Sequence, residues 1–140
     1  RTLKEQLLWV RSFETVEHLT DPLRFLHSLA ERGSARHLLM TVPYRRVSRF
    51  GGEHLRQDER TMAQRMTAEE VHMYEFSPED WTLLARFAGF RPVFTRTYFQ
   101  YARWNASRIL APVWRRLDFE GFFAIFAARD LSLSQRYADW

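Results

Sequence analysis

Two glutamates and a histidine lie close together early in the sequence, at Glu14, Glu17 and His18. Imidazole and carboxylate side chains are the usual general acids and bases of enzymes. Glu14 precedes Glu17 by three residues and His18 by four, so a helical turn would place Glu14 on one face with Glu17 or His18. The group is therefore a candidate site for acid–base chemistry. The structural alternative is that a glutamate caps a backbone amide while His18 packs against its neighbours.

A buried strand is predicted to position these residues. An apolar run indicates a strand over Leu7 to Phe13, and open α/β sheets bind ligands beyond the carboxyl ends of their strands. Thr20 or Asp21 then caps a helix that has Pro22 in its first turn. Gly33 is expected to end this helix.

A second apolar strand follows over His37 to Val42 and is expected to end at Pro43, which removes a ladder donor. A helix between two short apolar strands predicts a right-handed βαβ unit with parallel strands. Residues 44–75 then read as a long basic loop, with a short helix within Ala63 to Met73. Such a loop could close over a substrate as a lid, and the alternative is a disordered insertion.

The second half of the chain continues with a helix and two strands. Ser77 is a clear helix cap, with Pro78 in the first helical position, and the helix is expected to end at Gly89. Strands over Val93 to Tyr101 and over Phe122 to Arg129 should pair antiparallel, because no clear helical crossover separates them. The predicted fold is therefore α/β, with a mixed sheet, flanking helices and an antiparallel last strand.

The composition supports one globular domain of 140 residues, 46% of them hydrophobic. The sequence contains no apolar run of about 18 residues, so it predicts no membrane-spanning helix. A cytoplasmic location is the default expectation. The absence of cysteine excludes disulfides and thiolate chemistry. The net charge of +4 comes mostly from arginines, which suit an anionic substrate or nucleic acid, unless they form only a solvated surface. The clustered arginines are Arg45, Arg46, Arg49, Arg56, Arg60, Arg65, Arg103, Arg108, Arg115 and Arg116.

Three motifs resemble the downstream half of class I S-adenosylmethionine-dependent methyltransferases, especially the broad group known as methyltransferase type 11 or 12. The first runs from Phe13 to Pro22, FETVEHLTDP, and resembles the end of the fourth strand in that group. The second, TVPY from Thr41 to Tyr44, resembles the end of the fifth strand. The third, HMYEFSPEDW, runs from His72 to Trp81 and is followed by Ala88 to Phe90. Their order and their spread over nearly the whole chain make the resemblance specific.

The resemblance implies methyl transfer from S-adenosylmethionine to a hydroxyl or amine of a small molecule, lipid or glycan. In that family the position of His18 lies beside the methyl donor, where an imidazole could take the acceptor proton. The implied catalytic residues are Glu14, Glu17, His18 and His72. The implied cofactor contacts are Ser12, Phe13 and Glu14.

The cofactor-binding motifs of that family are missing from this sequence. The family uses a Gly-rich turn after its first strand and an acidic residue after its second, and none of the five glycines lies in such a turn. Residues 1–140 are therefore interpreted as a single partial domain, strands four to seven, that is inactive or very weak alone. In the complete fold another strand pairs with Leu7 to Phe13, so we expect this edge to bind a partner, here by self-association.

A divalent metal is a further alternative that the resemblance implies. Small-RNA 2′-O-methyltransferases and some quinone-pathway O-methyltransferases carry a similar Glu-x-x-Glu-His and bind a divalent ion with it. The corresponding ligands for Mg, Mn or Zn would be Glu14, Glu17, His18 and His72. Two other functions stay open, namely a non-catalytic interaction module that retains the half-fold and an RNA methyltransferase that uses the arginine clusters. The acceptor cannot be inferred, because substrate choice in this fold depends on variable loops.

Overall fold

The computed structural model describes residues 9–32, 35–51, 71–98, 109–110, 113 and 121–137. In chain order the described strands are β1 (Trp9–Phe13), β2 (His37–Tyr44), β3 (Arg49–Phe50), β4 (Tyr74–Glu75), β5 (Phe90–Tyr98) and β6 (Gly121–Arg129). The described helices are α1 (Pro22–Arg32), α2 (Pro78–Phe87) and the short α3 (Leu131–Ser134), with 3-10 turns at Val16–His18 and Gln135–Tyr137. The main sheet has the order β1-β2-β6-β5, and β3 and β4 form a second, small sheet.

The first three elements form the predicted strand-helix-strand unit. β1 and β2 pair in parallel along the whole of β1, and α1 connects them. α1 begins where predicted because the Asp21 carboxylate accepts a hydrogen bond of 2.9 Å from the Arg24 amide, which satisfies one of the unpaired donors of the first turn. Leu7, Leu8 and Gly33 lie outside the described residues.

β2 runs on to Tyr44, so the prediction that Pro43 ends this strand is wrong. The Thr41 carbonyl faces β1 and accepts a hydrogen bond of 2.9 Å from the Glu14 amide. Pro43, two residues further on, turns its backbone to the same side, beyond the point where β1 has ended. Its missing amide hydrogen therefore costs no ladder bond, and its carbonyl accepts a hydrogen bond of 3.0 Å from the Trp81 indole.

β6 lies between β2 and β5 and is antiparallel to both, which confirms the predicted pairing of the last two strands. β5 begins at Phe90, earlier than the predicted Val93, because Gly89 with φ +90° turns the chain directly out of α2. A Cβ at Gly89 would also lie 3.3 Å from the side chains of Leu131 and Ser134. Glycine is therefore favoured there by its backbone angle, and a larger residue would also press on these two side chains.

The start of α2 is anchored by two hydroxyl groups, of which the sequence predicts Ser77. The Ser77 hydroxyl accepts a hydrogen bond of 3.2 Å from the Asp80 amide, and Pro78 occupies the first helical position. In addition, the Ser48 hydroxyl accepts a hydrogen bond of 2.7 Å from the Ser77 amide and donates one to the Asp80 carboxylate. The loop that precedes β3 is therefore tied to the first turn of α2.

The two ends of the predicted loop 44–75 are joined by the small sheet. β3 and β4 are antiparallel, and Arg49 is the cross-strand partner of Glu75. Residues 52–70, which hold most of the predicted lid and its short helix, lie outside the described residues. The expected end of β5 at Tyr101 does so as well.

The core lies between the main sheet and the helices, which pack on one face of it. Alternate strand residues point into this layer, as expected for a sheet with one covered face. Its fully or almost fully buried members are Val16, Leu26, Ala30, Leu38, Met40, Val42, Trp81, Ala85, Ala88, Phe90, Phe123, Ile125 and Ala127.

The opposite face of the main sheet carries an aromatic cluster at the β1 edge. Trp9 stacks on His37 and on Phe126, with ring centroids 4.9 and 5.2 Å apart. Trp9 and Phe13 nevertheless remain 47% and 54% exposed. β1 is an edge strand among the described strands, so this edge is both apolar and accessible. Among the described helices, none has the length and apolar character needed to cross a membrane.

Candidate functional site

The chain leaves β1 through a residue with an unfavourable backbone angle. Glu14 has φ +49°, a left-handed conformation that costs a residue with a side chain roughly 1–2 kcal/mol. The 3-10 turn at Val16–His18 begins only after this reversal, and Val16 is fully buried in the core. Glu14 is exposed whereas Glu17 points inward. The helical spacing that would place these two glutamates on one face therefore does not occur.

Glu17 is a carboxylate enclosed by protein. Its side chain is 0% exposed, and in the described part of the chain neither of its carboxylate oxygens has a hydrogen-bond partner. Burial raises the pKa of Glu17 from 4.5 to about 7, its own backbone amide and then the nearby His18 offset this rise only in part, and the charge of Glu14 adds to it. A carboxyl group of this kind exchanges a proton near neutral pH or binds a cation, which are properties of functional sites.

His18 is held in one orientation by a backbone carbonyl. Its Nδ1 lies 2.8 Å from the Val71 carbonyl oxygen. Because a carbonyl oxygen only accepts hydrogen bonds, Nδ1 carries the proton and, in the neutral ring, Nε2 keeps the lone pair. Nε2 lies 3.8 Å from Glu17 Oε1. The nitrogen able to accept a proton or a metal ion therefore faces the buried carboxylate.

The third motif brings His72 to the same place. The segment that holds it is fixed to the turn on both sides, because the Val71 carbonyl contacts His18 and the Met73 amide donates a hydrogen bond of 2.8 Å to the Glu17 carbonyl. The His72 and His18 rings meet edge to face, with centroids 4.9 Å apart. One potential ligand atom each from Glu17, His18 and His72 lies within 4.8 Å of the other two.

A second charged group adjoins His72. The His72 Nδ1 atom lies 3.8 Å from Glu75 Oε1. The other oxygen of this buried carboxylate, Oε2, accepts hydrogen bonds of 2.6 Å from Arg45 Nε and of 2.5 Å from Arg49 Nε. A series of neighbouring side chains therefore leads from Glu17 through the two histidines and Glu75 to a pair of guanidinium groups.

Sequence reasoning named only part of this arrangement. Of the predicted catalytic residues, the structure brings together Glu17, His18 and His72 and leaves Glu14 outside their cluster. The contact of Glu75 with two arginines was missed, although the arginine cluster and the third motif were both recognised as separate features. The signal that could have joined them is charge, since Glu75 is a lone acid in an otherwise aromatic stretch of that motif.

The predicted cofactor contacts lie around the carboxyl end of β1. Ser12 is buried on the face that the helices cover, where its strand partner is Met40. Phe13 is exposed on the opposite face, and Glu14 is exposed at the turn. These residues therefore surround the strand end from three directions rather than forming one continuous surface.

Comparison with known proteins shows similarity in three-dimensional structure but not in sequence. No protein-family model matches the chain, and no curated protein sequence does. The chain is similar to a solved structure, a proposed methyltransferase in complex with the Haloferax volcanii Trm112 methyltransferase activator. The TM-score is 0.51 and the identity is 15%, over 88% of this chain and 54% of that one. The likeness shows a methyltransferase-like fold, and the chain spans about half the length of this neighbour.

Replacement of Glu17 should remove a pH dependence of stability. The pKa of Glu17 rises from 4.5 to about 7 on folding, so the folded state holds the proton more tightly. The free energy of unfolding therefore decreases as pH rises between these two values. The full effect is about 3 kcal/mol, present below the lower pKa and lost above the higher one. We expect Glu17→Gln to abolish this decrease in urea unfolding measured with a chelator between about pH 4 and 8.

The matched control is Glu31→Gln, which removes an exposed carboxylate on α1 and should leave the decrease in place. A difference in stability between the wild type and Glu17→Gln that stays constant with pH would contradict the raised pKa.

Proposed function

We propose that this chain is the C-terminal part of an S-adenosylmethionine-dependent methyltransferase that methylates a hydroxyl or amine of a small molecule, lipid or glycan. The methyltransferase-like fold supports this proposal. The observation that carries it is Glu17, a buried carboxylate without a hydrogen-bond partner among the described residues, beside His18 at the carboxyl end of β1. Ligands bind at this end of the strands in open α/β sheets.

In the proposed reaction His18 acts as the general base. With its Nδ1 proton held by the Val71 carbonyl, Nε2 takes the proton from the acceptor hydroxyl or amine. Glu17 then faces the imidazolium and stabilises its positive charge. His72 lines the acceptor side, edge to face with His18.

S-adenosylmethionine, when bound, supplies the electrophilic methyl group. Ser12, Phe13 and Glu14 at the end of β1 are proposed to contact it, and they provide only a small part of the surface that such a ligand needs. Since the sequence contains no Gly-rich turn after a first strand, we propose that residues outside this chain hold most of the cofactor. The chain alone is then inactive or very weak, and a cytoplasmic location goes with this proposal.

Replacement of His18 should remove methyl transfer from the parent protein. We expect His18→Asn to lower the rate by about 10²- to 10⁴-fold, the usual contribution of a general base. The measurement follows labelled methyl groups from S-adenosylmethionine into a panel of hydroxyl and amine acceptors. His27→Asn, on the outer part of α1, is the control and should keep the wild-type rate. Equal rates in the His18 variant and the wild type would contradict the assignment of the base.

The edge of β1 is proposed to bind a partner strand, by self-association when the chain is alone. Trp9 and Phe13 are exposed along this edge. Because the Glu14 amide faces β2, the backbone of Arg11 faces outward, and proline there blocks a new ladder without breaking the existing one. We expect sedimentation to show a concentration-dependent dimer for the wild type and for Arg11→Gln, and a monomer for Arg11→Pro. A wild-type monomer at high concentration would contradict the proposal.

A second candidate is that the site also binds a divalent metal ion. The observation that favours it is the donor set of Glu17, His18 and His72, which includes buried carboxylate oxygens without a partner in the described part of the chain. Glu14, the fourth residue implied by the resemblance, lies outside this set. A bound ion would orient an acceptor hydroxyl and make its proton easier to remove.

Metal binding can be measured directly. We expect calorimetric titration of the full-length protein with Mn²⁺, Mg²⁺ or Zn²⁺ to show binding that His72→Ala weakens by at least about tenfold. Glu31→Gln serves as the control, because Glu31 is an exposed carboxylate on α1 that lies outside the donor set. The absence of binding for all three ions, or equal binding by the His72 variant, would contradict a metal site.

A further inference from the structure

Arg49 carries a hydrogen-bond donor that no described residue of the chain uses. Its Nε binds Glu75 Oε2 at 2.5 Å, whereas its Nη2 is buried and has no hydrogen-bond partner in the described part of the chain. A buried donor on a charged group costs free energy unless it is paired. The guanidinium therefore has the capacity for one more acceptor, next to the acceptor it already holds.

The position of this donor is set by the backbone. Arg49 and Glu75 are cross-strand partners in the β3-β4 pair, and the Gly51 amide extends the pairing with a hydrogen bond of 2.7 Å to the Met73 carbonyl. The Arg49 side chain is 23% exposed, so solvent reaches part of it. A donor that is held in place before binding loses little conformational entropy when a ligand arrives.

The donor also lies beside the proposed reaction centre. Glu75, which holds Arg49 through Oε2, has its other oxygen 3.8 Å from His72 Nδ1, and His72 contacts His18. Two residues, Glu75 and His72, therefore connect Arg49 to the proposed base His18 through side-chain contacts.

We propose that Arg49 binds an anionic group of the methyl acceptor, a phosphate or a carboxylate. Guanidinium matches both groups geometrically and forms strong charge-assisted hydrogen bonds with their oxygens. The proposal names the acceptor class and in that respect rests on the proposed methyltransferase function, whereas the binding of an anion at Arg49 does not. Among the proposed methyl acceptors, an Arg49 anion site favours phosphorylated or carboxylated compounds over neutral ones.

The test is a titration of the 140-residue chain with inorganic phosphate and, separately, with acetate, at constant ionic strength in chloride. Binding is followed by amide chemical shifts. We expect saturable binding to the wild type of at least one anion, weakened about tenfold or more in Arg49→Gln, which is the loss for one charge-assisted hydrogen bond. The anion that binds more tightly identifies the acceptor group.

Two further variants make the result specific. Arg49→Lys keeps a positive charge opposite Glu75 and removes the Nη2 donor, so it should bind the anion more weakly while the chain stays folded. Arg24→Gln removes an exposed arginine on α1 and should leave binding unchanged. Binding of neither anion, or equal weakening in the Arg24 and Arg49 variants, would overturn the proposal. The anion titration does not require a methyl donor. If no anion binds, the methyltransferase proposal is therefore unaffected. If methyl transfer is not observed but the anion binds at Arg49, the anion site is still supported.

Discussion

The burial of the Glu17 carboxylate is the constraint around which the described site is built. An ionised carboxylate without donors is unstable in a protein interior, so the surroundings must supply a proton, a cation or a polar ligand. Val16 anchors the turn in the core, and the segment from Val71 to Met73 covers it with one hydrogen bond on each side of His72. Backbone contacts therefore hold the Glu17 carboxylate in a buried position that is unfavourable for its charge. Such local conflict with stability is expected where a site serves a function.

The two carboxylates of the site are treated in opposite ways. Glu75 is buried but holds two guanidinium groups, and Glu17 is buried with no such partner in the described part of the chain. Glu75 therefore orients two arginines, whereas Glu17 is left with a raised pKa. His72 lies between them. One short segment therefore supplies both His72, which contacts His18, and Glu75, which holds the two arginines.

Much of the fold and three members of the site, Glu17, His18 and His72, were predictable from the sequence, whereas the contacts between distant segments were not. Caps at Asp21 and Ser77 and the apolar runs of the strands determine elements through interactions a few residues apart. The run of β2 past Pro43 depends on where β1 ends, which only the paired sheet shows. Glu14 was grouped with Glu17 by helical spacing, but Glu14 has a left-handed φ before the turn begins, and its side chain is exposed whereas that of Glu17 is buried. The contact of Arg49 with Glu75 joins two ends of a long loop, which no local pattern indicates.

The order of the main sheet has a consequence for how this chain acquires its structure. β6 is the last strand in the described chain, yet it occupies the interior of the sheet, with β2 on one side and β5 on the other. His37 pairs with Ala128 and Tyr98 with Phe122, so the strands made first have no common neighbour until the last one exists. Pairings between residues so far apart in sequence form slowly, because a long loop must close before they contribute any stability. On the ribosome the aromatic strand β1 and its neighbour β2 would therefore stay open to other chains until β6 is complete.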